Sequence, residues 1–467
     1  MCRSCLRPRC LCAALVVLVL LGALAAGVAV AAPSPAGAGL AIALPETLRL
    51  TLDDAVARVR AAAPRLRELQ ALAGAAAADA RAARAARLPT LDLRGGYSRW
   101  SDVPELTLTL PGQPPRTLFP NLPDNWTGRA SLALPLWTGG RLAGAARATE
   151  RQEEAAARDA DTGEAALVLE TVAAYWDLAV ARQRESVLGA AIMAYTAHAV
   201  DAGNRQRFGM AASHERLAVE VERDRAELAR LRASGDAEIA QADLARLLGL
   251  PAEQPLLATD PLPAPGGDAA DEELAPLVAG ALATRPERAA LAARAAAAQA
   301  LVGVARAGRL PQIALMAGYD YSNPNRRILP PSGEFADTWD VGVSLALNVF
   351  DGGRVAAEAS AARARATAAR ARLDDLDRRI RLEVTTRRLD LRLARAAAVV
   401  AARALASATE SRRVAADRYR EGLIPSSELL DAETAHLRAG LEHAEALAYV
   451  RLAVAALDRA AGRTGGR

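Results

Sequence analysis

The chain has 467 residues, 52% of them hydrophobic and 24% charged, which is enough apolar material for an extensive core. Its formal charge of +4 comes mostly from Arg3, Arg7 and Arg9, and the near-neutral remainder with scattered charge argues against nucleic acid as a partner. All four cysteines (Cys2, Cys5, Cys10, Cys12) fall in the first twelve residues, so the rest of the chain has no disulfide, thiolate metal site or cysteine nucleophile.

In chain order, the three arginines precede an apolar run from Leu11 to Val30 and then Ala29-Val30-Ala31, the basic, apolar, small-residue order of a secretory signal peptide. Cleavage after Ala31 is expected, with an uncleaved anchor as the alternative. No cysteine follows the run, so no lipid attachment is expected. No later segment reaches 18 consecutive apolar residues, and entry into a membrane after the leader would have to be as a β-barrel.

Residues 32–250 read as one structural unit. A helix over about 52–87 ends at Leu88-Pro89, since proline disfavours helical geometry in its predecessor. Strands at 90–100 and 126–137 flank a Pro-rich surface loop at 101–125. Gly139-Gly140-Arg141 opens a helix running to about 204, and a turn at Gly209 leads to another at 213–248. A Pro/Gly-rich linker, 251–271, follows. Residues 272–467 repeat the plan: helix 272–308, strands 312–322 and 338–349 around a loop at 322–337, a long helix over 354–417 and a last one over 426–461.

The second unit is a duplicate of the first. Arg87-Leu88-Pro89 … Gly96-Tyr97 recurs 222 residues later as Arg309-Leu310-Pro311 … Gly318-Tyr319, and Trp126 … Gly139-Gly140-Arg141 recurs 213 later as Trp339 … Gly352-Gly353-Arg354. The offset changes only inside the loop, where insertion is tolerated.

The strands alternate with period two. Trp126, Gly128, Ala130, Leu132, Leu134 and Leu136 oppose Thr127, Arg129, Ser131 and Ala133; Trp339, Val341, Val343, Leu345, Leu347 and Val349 oppose Asp340, Gly342, Ser344, Ala346 and Asn348. The polar faces read as small and mostly uncharged. Strands of about 10 residues suit a tilted crossing of hydrocarbon, and Trp126, Trp339, Tyr319 and Tyr321 stand near the loop ends, where an interfacial girdle would lie. Four strands cannot close, and smaller barrels need about 8. Three copies would supply 12. The expected fold is therefore mainly α with a small membrane β part: a duplicated helix–strand–strand–long helix–helix protomer whose trimer forms a 12-stranded barrel and a helical periplasmic tunnel. The rival is a periplasmic coiled-coil adaptor or scaffold without a barrel.

This ordered set resembles the outer-membrane efflux protein family, the TolC-like outer-membrane factors. The resemblance rests on the leader, Leu50-Thr51-Leu52-Asp53-Asp54-Ala55, the two Arg-Leu-Pro motifs, Leu-x-Leu-Pro-Leu-Trp-Thr-Gly-Gly-Arg at 132–141, Leu-x-Leu-Asn-Val-Phe-Asp-Gly-Gly-Arg at 345–354, and the two Gly-x-x-x-Ser turns. It implies a homotrimer in outer-membrane lipid that docks to an inner-membrane transporter through a periplasmic adaptor. It further implies an adaptor-docking tip around Arg205, Gly209, Ser213, Arg418, Tyr419, Gly422 and Ser426. Glycine suits the left-handed turn, and Ser213 or Ser426 is placed to cap the next helix.

Glu428 and Asp431, three apart, share a helix face. They match the family's acidic entrance and would become stacked acidic rings under threefold symmetry. The first unit has Ala218 where the second has Asp431, and Ile424 replaces the family's gating arginine. His198, His214, His436 and His443 are scattered along helices and are expected to be solvated rather than to bind metal. Neither a cofactor site nor a catalytic constellation is expected, and the chain does not read as an enzyme.

Overall fold

A computed structural model describes residues 47–109, 111–112, 114–262 and 272–463; the expected signal peptide, residues 1–31, lies outside them. The first elements are strand β1 (Leu48–Leu50) and helices α1 (Leu52–Ala62) and α2 (Pro64–Ala85). Thr51 and Asp54 start α1 with reciprocal hydrogen bonds: the Asp54 amide donates to Thr51 Oγ1 at 3.1 Å and the Thr51 amide to Asp54 Oδ2 at 3.2 Å. The single helix expected over 52–87 is in fact two. Pro64 cannot donate to the helix and forces Ala63 to an extended ψ of 125°.

The β part follows: β2 (Thr90–Arg99), a small hairpin of β3 (Leu106–Leu108) and β4 (Arg116–Phe119), and β5 (Asp124–Trp137). Helices α3 (Arg141–Arg207) and α4 (Ser213–Leu247) complete the first unit. Strand β6 (Leu256–Ala258) then pairs in parallel with β1, so the stretch expected to be a plain linker contains a strand. The second unit holds α5 (Leu274–Thr284), α6 (Pro286–Arg306), β7 (Gln312–Asn323), β8 (Ala336–Ala346), α7 (Arg354–Arg420) and α8 (Ser426–Ala460). Here too a proline, Pro286, splits the helix expected at 272–308. Strand β8 stops at Ala346 rather than at 349.

The four longer strands form one antiparallel sheet in the order β2-β5-β7-β8. Its register puts like with like. Leu93 stands opposite Ala130, Leu132 opposite Ala317, Leu315 opposite Val343, and Tyr319 opposite Trp339. One face is therefore continuously apolar, and it is bare: Val341, Val343 and Leu345 are 62%, 64% and 68% exposed. The other face is more charged than the sequence suggested. Arg129 donates to Asp320 at 2.7 Å and to Asp340 at 3.4 Å, packed over Gly318, where a side chain would collide with the guanidinium.

Helices α3 and α7 have 67 residues each, about 100 Å at 1.5 Å per residue. Neither contains proline, and alanine recurs at their buried positions, among them Ala146, Ala174, Ala202, Ala362 and Ala398. Alanine favours the helix and lets neighbouring helices approach closely.

Midway along α3, a belt ties the chain together. The Tyr175 ring is wholly buried, and its hydroxyl lies 3.0 Å from the Leu50 carbonyl and from Asp260 Oδ2 while accepting from the amides of Thr259 and Asp260 at 3.1 Å. Burial is the main cause that pushes this phenol up to about 12. One side chain thus joins α3 to β1 and to the connector between the units. Tyr175→Phe leaves those groups unsatisfied and should destabilise the solubilised protein by about 1–3 kcal/mol in chemical unfolding. An unchanged unfolding midpoint would show that the belt does not depend on this hydroxyl.

Candidate functional site

The end of the helices farthest from the sheet is built from two similar turns. In the first, Gly209 takes φ of 75°, its amide donates to Gln206 O at 2.9 Å, and the Met210 amide donates to Arg205 O at 2.9 Å. In the second, Gly422 takes φ of 76°, with matching bonds from Gly422 to Tyr419 O and from Leu423 to Arg418 O. Both close the long helix in a left-handed conformation that residues with a Cβ rarely adopt.

Neither serine caps. Ser213 and Ser426 are the first helical residues, after Ala212 and Pro425, and make no capping hydrogen bond. The Glu215 carboxylate receives the Ala212 amide instead, at 3.3 Å, which suits a negative group at a helix start. Pro425, with no N–H and a fixed φ, leaves Ser426 free for another task.

That task involves His198, which the sequence suggested would be solvated. It is 4% exposed and lies between the units: Nδ1 is 3.0 Å from Glu433 Oε2 and Nε2 is 2.9 Å from Ser426 Oγ. The Tyr419 ring meets the imidazole edge-on at 5.2 Å and is itself covered by the Arg205 guanidinium, 4.1 Å from its centroid. Arg205 also donates at 2.7 Å to Tyr419 O, the carbonyl in the last turn of α7 that accepts the Gly422 amide as well. Arg205, Tyr419 and Ser426 are thus brought into one buried cluster, while Arg418, the duplicate of Arg205, stays exposed in the last turn of α7. Ile424 is buried with Tyr419 and Leu429, so an apolar contact holds this turn down.

Farther up, Tyr195 and Thr434 hydroxyls lie 3.2 Å apart, and Arg184 donates to Glu445 at 2.6 Å. Together these contacts bridge α3 of the first unit to α8 of the second along their length. Glu428 and Asp431 are not part of the cluster. Both are exposed, and neither carboxylate has a hydrogen bond or ion pair among the described residues. His436 is partly buried, with burial as the main cause and Arg412 as the second that lower its pKa. Among the described residues no group of histidine and acidic side chains is arranged to hold a metal ion.

In the sheet, Trp126, Tyr319, Tyr321 and Trp339 occupy the loop-side rows on the apolar face. Tyr97, which the sequence reading passed over, joins them with its ring 4.4 Å from that of Trp126.

His198→Ala would leave the buried Ser426 and Glu433 oxygens without their partner, at a cost of about 1–3 kcal/mol. Trypsin should then cut faster at the arginines of the two turns, whereas His198→Gln should behave more like the parent protein. Equal cleavage of all three would show that the histidine does not hold the turns together.

Comparison with known proteins agrees with this architecture. The sequence matches the outer membrane efflux protein family over residues 55–250 and 277–463. It is 30% identical over 336 residues to Protein CyaE of Bordetella pertussis (strain Tohama I), covering 72% of this chain and 70% of that one. The fold is similar to that of the outer-membrane channel OprN, with a TM-score of 0.74, 24% identity and coverage of 88% and 89%. The Campylobacter jejuni CmeC outer membrane channel superposes with a TM-score of 0.73 at 17% identity, covering 89% and 87%. The matched regions span both units and most of the chain, and on that ground the chain belongs to the outer membrane efflux protein family.

Proposed function

We propose that three copies of this chain join their sheets into a twelve-stranded barrel and their long helices into one tunnel, making a passive exit duct. Membership of the family makes the chain an outer-membrane efflux or secretion channel subunit with a periplasmic extension. The observation that carries the finer reading is the sheet: one face apolar through its middle rows and most exposed on the edge strands β2 and β8, the other polar, and both edge strands unpaired among the described residues. Edges of that kind are not stable in lipid. The strands alternate in direction, so β8 of one copy would meet β2 of the next antiparallel, continuing the pattern without a break. The polar face with Arg129, Asp320 and Asp340 would then line water. A coiled-coil scaffold without a barrel gives no use for such an apolar face.

The two glycine turns would form the periplasmic mouth. Arg205, Gly209, Ser213, Arg418, Tyr419, Gly422 and Ser426 are the place where a periplasmic adaptor would dock and couple the duct to an inner-membrane transporter, which would supply the energy. Some of these residues would act indirectly, since Tyr419 and Ser426 are buried and hold the turn's shape. Glu428 and Asp431, unpaired and exposed beside the turn, would become two acidic rings in the trimer and attract cations to the mouth.

Single-channel recording tests this. Glu428→Ala combined with Asp431→Ala should lower the preference for cations over anions without changing the amount of assembled protein. Unchanged selectivity would remove the acidic rings from the account, and a chain that forms no pore at all would remove the duct.

A further inference from the structure

Along the half of the long helices nearest the turns, α4 packs on α3, α3 on α8 and α8 on α7, so α4 and α7 are the outer members of the layer. Each carries a second apolar stripe that no part of the described chain covers. On α4, Val219, Ala226, Ala233, Ala237 and Leu244 are buried. Leu217, Val221, Leu228, Leu231 and Ile239 recur at helical spacing on the opposite face, with Leu231 and Ile239 72% and 71% exposed. On α7, Val384, Leu391 and Ala398 are buried, whereas Leu382, Leu389, Leu393, Val400 and Val414 share the opposite face and are exposed. A helix with an apolar stripe on each side calls for a partner on each side.

The two bare stripes match in height. Arg205, beside the first turn, donates at 2.7 Å to Tyr419 O, beside the second, so the turns stand next to each other. Helix α4 leaves its turn at Ser213 and α7 enters its turn at Arg420. With equal rise per residue, Val414, Val400 and Leu393 come close to the levels of Leu217, Leu231 and Ile239.

The flanking charges match too. The helices run antiparallel, so like flanks of the two stripes face each other. On α4 that flank carries Glu227 and Glu238, and on α7 it carries Arg392 and Arg403 at the same separation along the helix. Glu238, Arg392 and Arg403 are exposed and have no hydrogen bond or ion pair among the described residues. Glu227 has only Arg223, at 3.8 Å.

We propose that α4 of one copy and α7 of the next zip together as an antiparallel coiled pair. Ile239 would pack on Leu393 and Leu231 on Val400, while Glu238 and Glu227 would pair with Arg392 and Arg403. The apolar stripes supply the attraction and the charges fix the register. The partner is a second copy because spacing, height and sign all agree with what this chain itself offers. The proposal rests on the trimer reading above and adds a helical seam to the strand seam between β8 and β2.

Cysteine trapping in the detergent-extracted full chain tests it. Ile239→Cys with Leu393→Cys should link between chains on oxidation and give a ladder ending at three copies. Ile239→Cys with Val400→Cys, two helical turns out of register, should link far less. Independently, Glu227→Arg with Glu238→Arg should lower the temperature at which the assembly dissociates, and adding Arg392→Glu with Arg403→Glu should bring it back. The seam is overturned if cysteines on β2 and β8 join copies while those at 239 and 393 never do, a result that leaves the duct standing. It is also overturned if the second charge reversal restores nothing. A protein with the mass of a single chain would remove both seam and duct.

Discussion

Every backbone N–H and C=O in the hydrocarbon of a bilayer needs a partner, and a four-stranded sheet with two free edges cannot provide them all. That constraint organises this protein. The cross-strand rows of Leu, Val and aromatic side chains fix which face is apolar and, in the proposed barrel, would meet lipid, and a one-residue slip would turn them all toward the other face. The edges, in contrast, would be answered by sister chains in the proposed trimer. The proposed trimer is the smallest assembly that passes the strand number of the smaller barrels while keeping the alternation of strand direction.

The helices extend the same logic into the periplasm. A helix of about 100 Å cannot be buried in a core of its own protomer, so it is held at intervals. The Tyr175 belt fixes α3 to β1 and to the connector between the units, and the contacts from Arg184–Glu445 down to His198–Ser426 fix it to α8. Duplication gave the two units the same turns, yet the far end is not symmetric. Arg205 and His198 of the first unit reach across to the second, whereas Arg418 is exposed and the position matching His198 is Ser411. The unit that contributes the unpaired carboxylates Glu428 and Asp431 is also the one being gripped.

Much of this was legible in the sequence because it rests on local chemistry. Period-two alternation, repeated Arg-Leu-Pro and Gly-Gly-Arg motifs and proline-free helical runs gave the strands, the duplication and the long helices. Pro64 and Pro286 stand inside the runs read as single helices, and the steric effect of proline on Ala63 and Arg285 breaks each run in two. His198 was hidden for a different reason. Its partners are 228 and 235 residues away in the chain, and no local pattern announces a contact of that range. Ser426 looked like a cap because its spacing fits one, but Pro425 occupies the cap position and the hydroxyl turns inward. The abundance of alanine, easily read as compositional bias, is in the structure the means by which the long helices pack closely.

Disulfide trapping across the free edges is the most direct test of the central claim, since the described chain has no cysteine of its own. Single cysteines placed along β2 and along β8 should, at one register, bond between chains on oxidation and yield a covalent ladder ending at three copies. A cross-link needs Cα atoms about 4.4–6.8 Å apart, so only truly adjacent strands will react. If no pairing along the two strands ever links one chain to another, and the extracted protein has the mass of a single chain in detergent, then β8 does not meet β2 of a neighbour and the barrel is wrong.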